Sequence, residues 1–347
     1  MSVDLTGSGS ELASLRRQLA EARENLRLIQ ERKSQYVMET DIPLDLIKRE
    51  RQLVERIAEL EQRSDKSGTG TPRAGPPVIP DTGTMIVVLD ESYDQGGWTG
   101  WPTAKAGYSD AVGYLSKVAH VVSHKDGYSS EGTLPTHAIL VLPSPHDTMV
   151  DDEDFDSISQ WVSQGGALLV MGIYLMEAHH NINLNGLSRR LGFEFRHDLT
   201  MPPGHESYQD CMRQAFKYAD RDLWIVSRPR GNPESHPLLN GVSTLALTSC
   251  CTVEGAATPD LTVATADQVA IRHAIGHKDP QSGRLLQITD YVPGKDAPAE
   301  FMVAFRHGRG KVVAIGTWKI FLNDLVASYP DGNGKLFQNI IDWLGAD

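Results

Sequence analysis

The sequence predicts an α/β domain with a doubly wound, mainly parallel sheet and an added antiparallel layer, preceded by an α-helical coiled-coil hairpin. Three observations carry this expectation. Between Met85 and Met171, short apolar runs alternate with segments of helical period, the pattern of strand–helix–strand units. From Leu223 onward, strand-like runs follow one another without helices between them, as in antiparallel sheet. Ahead of both, leucines recur in alternating steps of three and four, the spacing of a coiled-coil seam.

The seam comes first in the chain. Leu12, Leu15, Leu19, Ala22, Leu26, Ile29 and Tyr36 line one face of the expected first helix, with Lys33 at the one polar position. The helix is expected to end near Tyr36–Glu39. Asp41 can cap a second helix, and Pro43 fits its first turn, where a missing N–H costs nothing. Leu46, Leu53, Ile57 and Leu60 continue the stripe, widened by Ile47 and Val54. Residues 1–63 are therefore expected to form a hairpin module and 64–83 a flexible linker, since SDKSGTGTPRAGPPVIPDTG has no apolar periodicity to offset its ordering entropy. Residues 84–347 form the main domain. The hairpin is either a spacer or a docking module. Docking is favoured because the seam exceeds what one short helix can cover, so the expected partner is a protein with a similar hairpin or a second copy of this chain.

Within the main domain, Met85–Leu89, Val118–Ser123, Ala138–Leu142 and Ala167–Met171 read as strands covered on both faces. Helices are expected from about Thr103 to Ser116, and from Asp151 or Asp152 to the Gly165-Gly166 stop, with Phe155, Ile158, Trp161 and Val162 facing inward. Further strands are expected at Leu245–Ser249, Leu261–Thr265, Val269–His273, Leu285–Asp290, Glu300–Arg306 and Lys311–Gly316. His307-Gly308-Arg309-Gly310 reads as a tight hairpin turn, and Gly334–Leu344 as the closing helix.

Composition narrows the function. The 347 residues carry a formal charge of −12, which opposes binding to nucleic-acid phosphates. No apolar run reaches the roughly 20 residues that span a bilayer, and the N-terminus lacks the basic start and apolar run of a signal peptide. A cytoplasmic protein without membrane contact is expected. Three cysteines, two of them the adjacent Cys250 and Cys251, argue against a disulfide framework.

Open α/β sheets bind ligands at the carboxyl ends of their strands. The loops expected there are Asp90–Trp98, Ser144–Asp147 and Ile173–Asn185. They gather Asp90, Glu91, Tyr93, Ser144, His146, Tyr174, His179 and His180 as candidate ligand-binding residues. The same residues can instead be solvated caps of strands and helices. His179-His180, with His197, His205 and His236, does not read as a metal site, because no HExxH is present and adjacent histidines point apart. Neither GxGxxG nor GxxxxGK occurs, so no nucleotide cofactor is expected. Gly107-Tyr108-Ser109-Asp110-Ala111 mimics a serine elbow but falls within an expected helix. Asp151–Asp156 reads as the acidic first turn of a helix.

Two resemblances add to this reading. The run LRRQLAEARENLRLIQERKSQYVMETDIPLDLIKRERQLVERIAELE, above all its turn Tyr36–Leu44, resembles a hairpin module of bacterial multidomain conflict and signalling proteins that also carry NACHT-type NTPases or caspase-like or trypsin-like peptidases. That resemblance implies a homotypic or adaptor contact and no catalysis. VVLDESYDQ, the Trp161-Val162 to Gly165–Leu169 phrase, Asn183–Asn185 with Leu191–Phe193, His236–Leu239 with Gly241-Val242, and Gly308–Gly316 together resemble an uncharacterised bacterial branch of the class I glutamine amidotransferase-like superfamily. In true members the elbow reads Gly-Ile-Cys-Leu-Gly. Gly172-Ile173-Tyr174-Leu175-Met176 lacks both the cysteine and the following glycine, and no counterpart of the distal His-x-Glu pair stands near Ile320–Asp324. No catalytic residue is carried over, since a tyrosine of pKa near 10 is a poor acyl-transfer nucleophile without a base. The expected function is therefore non-catalytic recognition, with a degenerate amidotransferase-like domain sensing a ligand or protein in a bacterial defence or signalling system. Two alternatives stand beside it: a hydrolase of the same superfamily using Asp90, Glu91 or His179, and a structural scaffold.

Overall fold

A computed structural model describes residues 85–92, 107–124, 127–128, 134–145, 149–180, 182–202, 225–255, 259–293 and 297–346, together with Leu53. The chain divides into two units, Met1–Ile79 and Pro80–Asp347, and the second holds every described strand. The expected hairpin, with Leu12, Leu15, Leu19, Leu26, Ile29, Leu46, Ile57 and Leu60, lies outside the described residues. Leu53 alone of the seam is described, in a helical conformation.

Four strands open the domain: β1 (Ile86–Asp90), β2 (His120–His124), β3 (Ile139–Pro143) and β4 (Ala167–Met171). Helix α1 (Ser109–Val118) lies between β1 and β2, and α2 (Asp152–Ser163) between β3 and β4. After β4 come the single-turn α3 (Met176–His179), α4 (Asn185–Leu191), β5 (Glu194–Phe195) and β6 (Asp198–Met201). Short strands follow: β7 (Ile225–Ser227), β8 (Pro229–Asn232), β9 (Leu245–Leu247), β10 (Val253–Glu254) and β11 (Leu261–Thr265). Two hairpins come next, β12 (Ala270–Lys278) with β13 (Leu285–Pro293), and β14 (Glu300–His307) with β15 (Gly310–Ile315). The chain closes with α5 (Asn323–Ser328) and α6 (Lys335–Gly345).

Among the described residues the main sheet has eight strands, in the order β2-β1-β3-β4-β15-β14-β11-β8. Its first five strands run parallel. β14, β11 and β8 then continue the same sheet antiparallel. A three-stranded sheet, β13-β12-β6, and two strand pairs are antiparallel throughout. This corrects the expected fold class. Among the described strands seven pairings are antiparallel and four parallel. Among the described residues the domain is mostly sheet with a few short helices, and its late antiparallel strands extend the main sheet where a separate layer was expected. The physical reason is that an apolar run reports burial on both faces and carries no information on the direction of its neighbour.

Burial on both faces explains the apolar runs. Val87, Leu89, Ile139, Val141, Leu169, Met171, Val313 and Ile315 pack on one face, against Ala111 and Leu115 of α1 and Leu336, Phe337, Ile340 and Ile341 of α6. The alternate residues Val88, Leu140, Leu142, Leu168, Val170, Val312 and Ala314 pack on the other, against Phe155, Ile158, Trp161 and Val162 of α2 and Leu187 and Leu191 of α4. The end of α6 is tied down by Lys311, whose Nζ donates to the Trp343 carbonyl at 3.0 Å and to that of Ala346. A cation there completes carbonyls the helix leaves open.

Candidate functional site

The parallel strands all end at one edge of the sheet. There the chain order reverses about β1: β2 lies on one side and β3 on the other. Such a reversal opens a crevice between diverging loops.

Asp90 is the last residue of β1 and has no exposed surface. Its carboxylate accepts from the Ser92 hydroxyl at 2.5 Å and from the Tyr128 hydroxyl. Tyr128 is held from the far side, because its backbone N–H donates to Asp154 Oδ1 at 2.7 Å. Its ring packs on that of His124, the last residue of β2, with 4.6 Å between centroids. Glu91 accepts from the Ser123 hydroxyl at 2.5 Å, and its backbone N–H donates to the His124 carbonyl at 2.7 Å. Ser144 follows β3 and is 5 % exposed. Two buried polar atoms at this edge, His124 Nε2 and Ser144 Oγ, have no hydrogen-bond partner among the described residues. A buried polar atom without a partner is costly and calls for an explanation.

The same edge continues across β4 and β15. After β4 the chain turns through Tyr174 and Leu175 into α3, with Leu175 in the left-handed region at φ 47°. Tyr174 has no exposed surface, belongs to the apolar core, and meets the His180 ring edge-on at 5.0 Å between centroids. After β15 a 3-10 turn, Trp318–Phe321, is capped by Thr317, whose Oγ1 accepts from the Lys319 N–H at 3.1 Å. The Trp318 N–H donates to the Gly172 carbonyl at 2.7 Å, joining the two loops. Lys319 is 7 % exposed. Burial lowers its amine from 10.5 to about 7, and its Nζ donates to Ser249 Oγ at 3.1 Å.

Of the residues singled out in the sequence, Asp90, Glu91, Ser144, Tyr174 and His180 stand at this edge in the structure. Tyr93 and His146 lie outside the described residues, and of His179 the backbone alone is described. Tyr174 is a core residue. The structure adds His124, Tyr128, Ser249 and Lys319, and gives Asp154 the role of anchoring Tyr128. No local motif marks these five. Among the described residues no three His, Cys, Asp or Glu side chains gather at metal-binding range, and no helix is long and apolar enough to cross a membrane.

No family profile and no curated protein matches the chain. Among solved structures, the chain is similar to the mmIFT52 N-terminal domain, at 14 % identity over 76 % of this chain and 98 % of that one, with a TM-score of 0.52. Cytoplasmic protein STM3548 from Salmonella typhimurium aligns at 14 % identity over 75 % of this chain and 98 % of that one, with a TM-score of 0.42. A beta-galactosidase from Bacillus circulans sp. alkalophilus aligns at 11 % identity over 82 % of this chain and 34 % of that one, with a TM-score of 0.33. These findings overturn both resemblances drawn from the sequence. The fold likeness is to the mmIFT52 N-terminal domain and not to a class I glutamine amidotransferase, and no hairpin module of bacterial conflict proteins is shown. The shared phrases were mostly strand ends and glycine turns, which recur wherever a buried strand meets a loop. The chain shares the fold of the mmIFT52 N-terminal domain, and at this identity the likeness extends to the fold alone.

Proposed function

We propose that the unit Pro80–Asp347 is a recognition module that binds a small polar molecule at the carboxyl edge of β1, β2 and β3. The observation that carries this reading is the buried Ser144 Oγ, without a partner among the described residues, beside the strand that ends in the buried Asp90. Hydroxyls or an amine on a ligand would give Ser144 Oγ and His124 Nε2 hydrogen bonds that no described residue gives them. Two carboxylates, Asp90 and Glu91, disfavour a phosphorylated or carboxylate ligand there. The class is therefore an uncharged or cationic molecule rich in hydroxyl or amino groups. In this proposal the leucine seam within residues 1–63 supplies a contact to a protein, either a second copy of this chain or a partner with a like segment.

Thermal unfolding of the full-length chain against a panel of polyols, amino alcohols and their phosphorylated counterparts tests the reading. Stabilisation by at least one unphosphorylated compound, lost in Asp90→Asn and Ser144→Ala, is expected. Equal shifts in wild type and both variants would place binding elsewhere.

A further inference from the structure

Ser249 and Lys319 are 70 residues apart in sequence yet 3.1 Å apart at Oγ and Nζ. Both are held in place by ties that do not involve their own reactive atoms. Thr317 Oγ1 donates to the Thr248 carbonyl at 2.7 Å while accepting from the Lys319 N–H. The Cys251 N–H donates to the Gly316 carbonyl at 3.0 Å. At Gly316 a side chain is excluded, since a Cβ would lie 1.9 Å from the Cys251 carbonyl oxygen. Ser249 itself sits at φ 52°, a left-handed conformation that a residue with a side chain rarely adopts. Its carbonyl accepts from the Tyr174 N–H at 3.2 Å, next to Leu175, also left-handed. Strain of this kind persists where surrounding structure enforces it, and it gathers at functional sites. Ser249 is half-buried, while Lys319 behind it is buried. A half-buried serine on a strained turn, backed by a buried amine at hydrogen-bond distance, is the arrangement of an activated nucleophile.

We propose that Ser249 and Lys319 act as a nucleophile–base pair that cleaves small, uncharged carboxylic esters, an activity beyond ligand recognition at β1–β3. The unprotonated Lys319 amine takes the Ser249 hydroxyl proton as Oγ bonds to the ester carbonyl carbon. The tetrahedral intermediate expels the alkoxide, which receives that proton from Lys319. Lys319 then takes a proton from water, whose oxygen attacks the acyl-serine. The C–Oγ bond breaks, Ser249 regains its proton, and the carboxylic acid leaves. Burial keeps a large share of the amine unprotonated near neutral pH, and an uncharged substrate enters this surrounding at a far smaller desolvation cost than an ion.

The test uses the full-length protein, a serine-directed fluorophosphonate probe and p-nitrophenyl acetate. Wild type is expected to take one adduct, mapped by peptide mass spectrometry to Ser249, and to hydrolyse the ester at a rate that rises through about pH 7. Ser249→Ala should abolish both. Lys319→Met and Lys319→Arg should each lower the rate more than a hundredfold, since neither side chain can act as a base. Absence of an adduct on wild type, an adduct elsewhere that survives Ser249→Ala, or Ser249 labelling that Lys319→Met leaves unchanged would each overturn the proposal.

Discussion

Replacing Lys319 by methionine should stabilise the protein at neutral pH, and by an amount that depends on pH in a defined way. Burial holds the amine at about 7 against an ordinary 10.5. The unfolded chain therefore binds the proton more tightly than the folded one between these values. Stability is lost as pH falls from 10.5 toward 7 and is regained as pH rises. At pH 7 the loss amounts to about 4 kcal/mol, and at pH 9 to about 2 kcal/mol. Methionine keeps the apolar stem and removes the titration. It also removes the bond to Ser249, worth about 1 kcal/mol at either pH. Urea unfolding of both proteins at the two pH values isolates the effect. Lys319→Met is expected to be more stable by roughly 3 kcal/mol at pH 7, with the advantage reduced by roughly 2 kcal/mol at pH 9. A variant less stable than wild type at pH 7, or a difference that does not change with pH, would refute the burial argument and remove the support it lends to Lys319 as a base.

Three further outcomes are expected of the same structure. Asn333, without exposed surface, donates to the carbonyls of Ala246 and Ile320 at 2.9 and 2.8 Å and accepts from the Ala246 N–H at 3.0 Å. Asn333→Ala strands three buried backbone groups and should cost about 2 to 4 kcal/mol in urea unfolding, with no cost meaning that water replaces the side chain. Burial lowers the pKa of His197 despite Glu177 at 3.4 Å and Glu194 nearby, with Lys278 and Arg189 acting in the same direction as burial. Its unfolded form takes up a proton first as pH falls below 6.5, so stability drops there. His197→Gln should flatten the acid side of the stability profile, and an unchanged slope would assign the acid sensitivity to other groups. Cys250 and Cys251 are fully buried, and burial raises both thiols. They should resist iodoacetamide at neutral pH until the protein unfolds, and rapid labelling of either in the native protein would contradict the packing.

How much of the fold and the site was legible in the sequence depends on how local the cause is. Ala167–Met171 and Leu261–Thr265 stand as strands where their apolar runs placed them. β8, Pro229–Asn232, left no trace because its residues alternate between half-buried and exposed at the far edge of the sheet. The direction of β15 was illegible for a different reason: Val312–Ile315 looks alike whether its neighbour runs parallel, as β4 does, or antiparallel, as β14 does. A positional rule about strand ends placed Asp90 and Ser144 at the edge where they stand. The approach of Lys319 to Ser249 was not legible, because no rule of spacing joins residues so far apart in sequence. Asp154 was absorbed into a helix's acidic first turn, where a carboxylate is already favourable, and its bond to the Tyr128 N–H is visible in the fold alone.

The central claim is that the carboxyl edge of β1, β2 and β3 is a binding surface. Its most direct test is a diffraction experiment on crystals of the full-length protein soaked with the polyol or amino alcohol that most stabilises it. Ligand density within hydrogen-bond distance of Asp90 and Ser144, absent from Ser144→Ala crystals treated in the same way, is the predicted result. Well-ordered ligand bound elsewhere, with that edge unchanged, would contradict the account.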